Sequence, residues 1–246
     1  MPHVLTVSPD FTPKHIAGWY IFNTWLQLQT DLPIHLKLYD SFTEQRDAIA
    51  DDTIDLIYAN PYDAAMLVRE KDFTALVAPL GKADETIIAC NKHYPITNIE
   101  DLQENLNIVT TDDPDVHLMG MMLLEPADLN ADNTNIQEMS NYVLVAKQLL
   151  QNKADIGFFL KDAYNDLSNL IKDDLNILIN SEIQIIRHVL LASPKLSKHH
   201  NKIKNILIEM SNDAKGASVL TSMGLSGWED QTQEDTEFMI DLMGAL

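Results

Sequence analysis

Residues 54–62 read Ile-Asp-Leu-Ile-Tyr-Ala-Asn-Pro-Tyr, and this stretch decides the fold prediction. A short apolar run with β-branched and aromatic side chains is typical of a buried strand. The Asn60-Pro61 pair that follows favours a helix start, because asparagine caps free N–H groups and proline suits the first helical position. The stretch therefore predicts a strand that passes directly into a helix.

The same strand-then-helix unit recurs along the chain. Three units are predicted in the first 80 residues, with strands at 4–7, 34–39 and 54–59 and helices that end near residues 28, 50 and 70. A second set of three has strands at 107–110, 133–138 and 155–160, followed by helices at 114–124, 140–151 and 162–171. Strands that alternate with helices of this length indicate right-handed crossovers and a mainly parallel sheet in each half.

Two extended runs, at residues 86–91 and 183–192, separate the two halves. They predict an α/β protein of two lobes joined by two crossover strands that form a hinge. Lobe 1 is predicted to contain residues 1–85 and 190–246, and lobe 2 residues 86–189. Ligands of open α/β sheets bind beyond the carboxyl ends of the strands, so we expect a ligand cleft lined by helix N-termini between the lobes.

Composition limits the function classes. Lys and Arg number 17 against 37 Asp and Glu, which gives a net charge of −20 and makes nucleic acid an unexpected partner. The single cysteine, Cys90, excludes a disulfide within the chain. Polar residues interrupt the longest uncharged run, 16–30, so no membrane span is predicted. The first residues lack a signal-peptide pattern, which leaves two expectations: periplasmic if a leader has been removed, and otherwise cytoplasmic.

No enzyme or metal motif is present in the sequence. There is no glycine-rich phosphate loop, no Gly-x-Ser-x-Gly elbow and no His-Glu-x-x-His, so we predict no catalytic residues and no cofactor. His117, Met119, Met121 and Met122 suggest a soft-metal site, but on a helix only His117 and Met121 share a face, and the other two side chains point elsewhere. We therefore predict no metal site.

Four segments carry a resemblance to a known family. They are residues 54–62, the Asp112-Asp113-Pro114 helix start, residues 153–157 (Lys-Ala-Asp-Ile-Gly), and the tail 206–228 with its Met-Gly-Leu-x-Gly-Trp. In this order the chain resembles the substrate-binding proteins of phosphate, phosphite and phosphonate ABC transporters, which have the type II periplasmic-binding fold. The resemblance implies a monomer that binds a small-molecule ligand and delivers it to a transporter permease, without enzymatic activity.

The resemblance also implies ligand-binding residues in both lobes. Phe42 matches an aromatic residue that closes over the ligand, and Asp162 matches an acidic residue that receives its amino group. The helix start at Asp112 and Asp113 matches the oxyanion site, with Val116 and His117 where relatives have a hydroxyl-rich segment. The remaining predicted ligand-binding residues are Tyr58, Asn60, Tyr62, Tyr142 and Phe159.

The residues at that helix start favour a neutral or amine ligand over phosphonate. Asp112, Asp113 and Asp115 would oppose a phosphonate by a few kcal/mol, and the helix dipole contributes only about 0.3 to 1 kcal/mol in return. Structural roles remain open for these residues. The three carboxylates and Asp162 are equally explained as helix caps, and Tyr58 as a core residue. Phe158 and Phe159 alternate on a strand, so only one of them can face the site. A cytoplasmic enzyme, a ligand sensor or a protein-interaction domain with the same fold also remains open.

Overall fold

The chain divides into two compact units in the computed structural model, which describes residues 2–10 and 13–244. Within those residues, the first unit contains 2–10, 13–83 and 185–244, and the second contains 84–184. The chain therefore passes from one unit to the other twice, after Ala83 and after Gln184. The pair Thr12-Pro13 predicts the start of the first helix, and Thr12 lies outside the described residues.

The first unit is built on a six-stranded sheet of order β11-β4-β10-β3-β1-β2. Its strands are β1 (His3–Val7), β2 (Ile34–Leu36), β3 (Leu56–Ala59), β4 (Thr74–Pro79), β10 (Val189–Ala192) and β11 (Trp228–Asp230). β1 pairs in parallel with β2 and β3, whereas β10 runs antiparallel to both β3 and β4. The carboxyl ends of β1, β2 and β3 thus share an edge with the start of β10, where Val189 pairs with Ala59.

Helices cover both faces of this sheet. They are α1 (Ile16–Thr30), α2 (Phe42–Ala50), α3 (Pro61–Lys71), α8 (His200–Ile208), α9 (Ala214–Ser222) and α10 (Gln233–Gly244). One core lies under α1, α8 and α9 and holds Trp19, Trp25 and Trp228; the other lies under α3 and α10. A Cβ on Gly18 would lie 2.2 Å from the carbonyl oxygen of Ser222, so only glycine permits this approach of α1 to α9.

The second unit is built on a five-stranded sheet of order β7-β6-β8-β5-β9. Its strands are β5 (Thr86–Asn91), β6 (Asn107–Thr110), β7 (Asn135–Glu138), β8 (Ile156–Leu160) and β9 (Leu175–Asn180). Its helices are α4 (Pro114–Leu124), α5 (Tyr142–Leu150), α6 (Lys161–Asn165) and α7 (Asn169–Lys172). β6 pairs in parallel with β7 and β8. β5 pairs in antiparallel orientation with both β8 and β9, and β9 lies at the edge of the sheet.

Phe158 and Phe159 show how the second sheet divides its core. The two side chains alternate on β8, and both are fully buried, Phe158 in the core under α4 and Phe159 in the core under α5. Gly120 of α4 rests on Phe158, since a Cβ there would lie 2.4 Å from the ring. This contact sets the height of α4 above the sheet.

An α/β fold of two units was predicted correctly, but two details of the prediction were wrong. The strands β4, β9 and β11 were missed, because they gave too weak a signal or lay in a predicted turn. Each sheet is nevertheless mainly parallel, as predicted: β1 to β4 share one direction against β10 and β11, and β6 to β9 share one direction against β5. The predicted helix 162–171 is two short helices, α6 and α7.

The two predicted crossover runs lie at the two passages between the units, after Ala83 and after Gln184. Residues 86–91 form β5, which lies inside the second sheet, and only Val189–Ala192 of the run 183–192 is a strand. Residues 185–189 belong to the first unit, where Arg187 pairs with Glu229 and His188 contacts Asp10. None of the helices in the described ranges combines the length and apolar character needed to cross a membrane.

Candidate functional site

Polar residues gather at the carboxyl edge of the first sheet. Ser8 follows β1, Asn60 follows β3, and His188 precedes β10. The backbone N–H of Asn60 donates to Ser8 Oγ at 2.9 Å, and the N–H of Ser8 donates to the Tyr58 carbonyl at 2.9 Å. These bonds tie the ends of β1 and β3 together and fix the start of α3.

Asn60 caps α3 and leaves one of its own groups unused. Its Oδ1 accepts the N–H of Asp63 at 2.7 Å, which is the capping role that the sequence indicated. The side chain is fully buried, and Nδ2 has no hydrogen-bond partner among the residues that the structure describes. A buried amide donor without a partner is costly, and it marks a place where a further acceptor would be stabilised.

Arg46 of α2 lies beside the same helix start. Its Nε donates to Asp63 Oδ1 at 2.6 Å, and its Cζ lies 5.3 Å and 4.9 Å from the ring centres of Phe42 and Tyr62. The Asp63 side chain is 1% exposed and that of Arg46 33%. Burial raises the pKa of Asp63, and Arg46 opposes that shift.

His188 and Tyr58 complete the polar edge of the first unit. His188 Nε2 lies 2.9 Å from Asp10 Oδ2, and both side chains are buried. The Tyr58 ring stacks on the His188 ring, with 4.8 Å between centres and 21° between planes. Tyr58 also lies against Trp19 and Trp228 at 5.0 and 5.9 Å, so it belongs to the core while bordering this edge.

Asp113 dominates the corresponding edge of the second sheet. It is the N-cap of α4, and its Oδ1 accepts the N–H groups of Asp115 at 3.1 Å and Val116 at 3.3 Å. Its Oδ2 accepts the hydroxyl of Tyr142 at 2.9 Å. Both carboxylate oxygens are therefore engaged, and the first amides of α4 already bind an anion of the chain itself.

The first turn of α4 separates the other predicted residues. Asp112 is exposed, Asp115 is buried, and His117 is half-buried. Val116 is fully buried in the core under α4, so the structure places it away from any solvent-accessible position. Thr110, at the end of β6, is also fully buried, and its hydroxyl has no hydrogen-bond partner in the described part of the chain.

Of the three remaining predicted residues, two are accessible. Tyr142 is half-buried at the start of α5, and Asp162 is exposed in the first turn of α6, where Leu160 and not Asp162 holds the N-cap position. Phe159 is fully buried, with its ring 5.4 Å from Tyr164. It is a core residue.

Sequence reasoning missed five residues of the first edge: Ser8, Asp10, Arg46, Asp63 and His188. A local sequence pattern could have indicated the position of Asp63, because an acidic residue three positions after an N-cap is typical of a helix start. No local sequence pattern indicates Arg46 or His188, since their positions depend on packing between elements distant in sequence. The predicted first-unit residues Phe42, Asn60 and Tyr62 do lie together, around Arg46 and Asp63.

A family model gives the first comparison with known proteins. The family described as "ABC transporter, phosphonate, periplasmic substrate-binding protein" matches residues 5–236. No curated protein sequence matches the chain.

Solved structures give the second comparison. PhnD1 from Prochlorococcus marinus in complex with methylphosphonate has a TM-score of 0.83 at 13% identity, over 99% of this chain and 97% of that one. A Xanthomonas citri protein bound to chloride has 0.81 at 13% identity, over 99% and 96%. The aliphatic sulphonate binding protein SsuA from Escherichia coli has 0.71 at 14% identity, over 99% and 87%. At these identities the likeness shows the fold alone.

Proposed function

The chain belongs to the family of periplasmic substrate-binding proteins of phosphonate ABC transporters, and from this premise we propose that it binds a small polar solute and delivers it to a transporter permease. The observation that carries the proposal is that polar side chains collect at the carboxyl edge of the parallel strands in each unit. That edge is where open α/β sheets bind ligands. The family is one of transport proteins, not of enzymes.

The second unit does not favour an oxyanion at α4. An incoming phosphonate would compete with Asp113 for the N–H groups of Asp115 and Val116. It would also meet the repulsion of Asp112 and Asp115, which share that helix start. We therefore propose that this edge contacts a neutral or amino group of the solute, with the exposed carboxylates of Asp112 and Asp162 as its partners.

The proposed ligand-binding residues follow from burial and position. They are Phe42, Tyr58, Asn60 and Tyr62 of the first unit and Asp112, His117, Tyr142 and Asp162 of the second. Asp113 contributes indirectly, because it caps α4 and holds the Tyr142 hydroxyl in place. Val116 and Phe159 are left out, because their apolar side chains lie fully buried in the two cores of the second unit. Phe42, Tyr58 and Asn60 are buried too, but they border the polar edge of the first unit and are kept.

The mode of action follows from linkage. A solute shifts the protein toward the conformation that it binds best, and the permease then recognises that conformation. Monomeric binding of one solute and a location outside the cytoplasm are part of the proposal, in keeping with the family.

A thermal-shift screen tests the proposed function. The panel contains phosphate, alkylphosphonates, alkanesulfonates, dicarboxylates, amino acids, amines and neutral sugars. A solute at 100 times its dissociation constant stabilises the folded protein by about 2.7 kcal/mol, which raises the melting temperature by several degrees. Mass spectrometry of solutes released from the purified protein extends the screen to compounds outside the panel. A protein that carries no solute and responds to no compound would contradict the proposed function.

A further inference from the structure

We propose that the first unit, through Arg46, holds an acid group of the transported solute. This inference rests on the proposed function and adds the residue that selects the solute. The acid group is a carboxylate, sulfonate or phosphonate, and the guanidinium of Arg46 together with the Asn60 amide would bind it.

Arg46 has hydrogen-bonding capacity that the fold does not use. A guanidinium carries five N–H donors, and Asp63 accepts only from Nε. Nη2 has no partner within the described ranges, and neither has the neighbouring amide nitrogen of Asn60. Both nitrogens are buried, and Asp63 Oδ2 is likewise buried without a hydrogen-bond partner among the described residues. An acceptor with several oxygens would satisfy the two donors, which Asp63 leaves unsatisfied in this conformation.

Arg69 of α3 shows what an arginine with a structural role looks like in this chain. Its Nε and Nη2 both donate to Glu237, and Nη2 also donates to Asp241. These three bonds go to two exposed or half-exposed carboxylates on α10. Arg46, by contrast, has one carboxylate partner and keeps a third of its side-chain surface accessible.

The surroundings of Arg46 hold it in place for binding. The rings of Phe42 and Tyr62 lie within cation–π distance of Cζ, and Asp63 fixes Nε. An arginine whose orientation is already fixed loses little entropy when it binds an acid in a bidentate manner. Phe42 therefore positions Arg46 in this scheme.

The charge pattern of the chain favours a local cation wherever an acidic solute binds. A protein with a net charge of −20 repels an anionic solute unless a local cation compensates. The start of α4 cannot supply this compensation, because it carries Asp112, Asp113 and Asp115. At the first edge, Asp63 contacts one side of the guanidinium and His188 contacts Asp10.

Isothermal titration calorimetry on four variants tests the assignment. The probes are methylphosphonate, methanesulfonate, succinate, glutamate and the acid-free amine putrescine, at pH 7 and low salt. Arg46→Gln should weaken binding of each acid that the wild type binds by about 30-fold, because a charge-assisted bond is lost. Arg46→Lys keeps the charge and should lose less. Arg69→Gln is the matched control and should bind within about twofold of the wild type.

Arg46→Gln leaves the buried Asp63 carboxylate without its partner, so the double variant Arg46→Gln/Asp63→Asn guards against misfolding. It removes both charges and should show the same loss of acid binding in a folded protein. Binding of putrescine and no acid, or an acid that binds the double variant as tightly as the wild type, would overturn the inference and leave the proposed function standing. Absence of binding by any solute would overturn both.

Discussion

The two sheet edges differ in what caps the helix that begins there. At the first edge a neutral asparagine, Asn60, caps α3, and its amide and Arg46 retain unused donors. At the second edge a carboxylate, Asp113, caps α4 and has both oxygens engaged. One strand-then-helix pattern has thus given one edge with donors that the fold does not use and one whose donors already bind a carboxylate of the chain. The capping residue, more than the fold, sets the electrostatics of each edge.

The largest expected effect comes from breaking the ion pair of the first edge. Arg46→Gln should lower the free energy of unfolding by about 3 kcal/mol, because Asp63, 1% exposed, would remain charged and unpaired. Arg46→Gln/Asp63→Asn should recover most of the loss. Urea unfolding followed by tryptophan fluorescence measures it, since Trp19, Trp25 and Trp228 all lie in the core of the first unit. A double variant as unstable as the single one would show that packing of Arg46, not its charge, matters.

The next effect comes from removing the two caps. Asp113→Ala should cost about 2 kcal/mol, because it removes the cap of α4 and the acceptor of the Tyr142 hydroxyl. Asn60→Ala removes only a cap and should cost about 1 kcal/mol. Far-UV circular dichroism in urea compares them, since the second unit contains none of the tryptophans. If Asn60→Ala lowered the free energy of unfolding more than Asp113→Ala, the proposed contrast between the two capping residues would be wrong.

The raised pKa of Asp63 predicts a pH dependence confined to the first edge. Its ordinary value is 3.8, and burial raises the folded-state pKa above it. Between these two values the folded state binds more protons than the unfolded state, so this group favours folding at low pH and disfavours it as pH rises. Asp63→Asn should therefore gain stability relative to the wild type from about pH 4 upward, by at most about 1.4 kcal/mol per pH unit.

Tryptophan-monitored unfolding between pH 4 and pH 7 measures that difference. The slope of the difference between the two proteins is the readout, because Asp63→Asn also removes the partner of Arg46 and shifts all values by a constant. A difference that stays flat with pH would mean that Arg46 fully offsets the burial of Asp63.

Tyr142→Phe probes the second edge with a single atom. The hydroxyl donates to Asp113 Oδ2 at 2.9 Å on a half-buried side chain. Its loss should cost about 1 kcal/mol, because Asp113 keeps its two backbone donors. Combining it with Asp113→Ala in a double-mutant cycle should show strong coupling. Additive effects would place the Tyr142 hydroxyl outside the Asp113 network.

Sequence patterns predicted those parts of the fold and site that depend on local chemistry. The strand 54–59 and the cap Asn60 followed from short-range signals, and the structure has β3 and the α3 cap there. The strands β4, β9 and β11 were missed, because pairing partners far apart in sequence decide whether a short apolar run joins a sheet.

The residues of the candidate site also fall into two groups: those that a local sequence pattern indicates and those that only contacts distant in sequence place there. The capping role of Asp113 was indicated by its position directly before Pro114, and the structure has Asp113 as the N-cap of α4. Arg46 reaches Asp63 across 17 residues and His188 reaches Asp10 across 178, and no local pattern encodes either contact. Phe159 was placed at the site because alternation on a strand cannot distinguish a second core face from an accessible one. Helices cover both faces of this sheet, so both phenylalanines are core.

The smallest expected effect separates neighbouring carboxylates at the second edge. Asp112 is exposed, whereas Asp113 caps α4. Asp112→Asn should change the free energy of unfolding by less than about 0.5 kcal/mol, as expected for a surface substitution, while Asp113→Asn should cost about 1 kcal/mol. Equal costs in urea unfolding would mean that both carboxylates stabilise the helix start. A silent Asp112→Asn would show instead that this carboxylate is not needed for the fold, which is what a residue kept for contact with a solute requires.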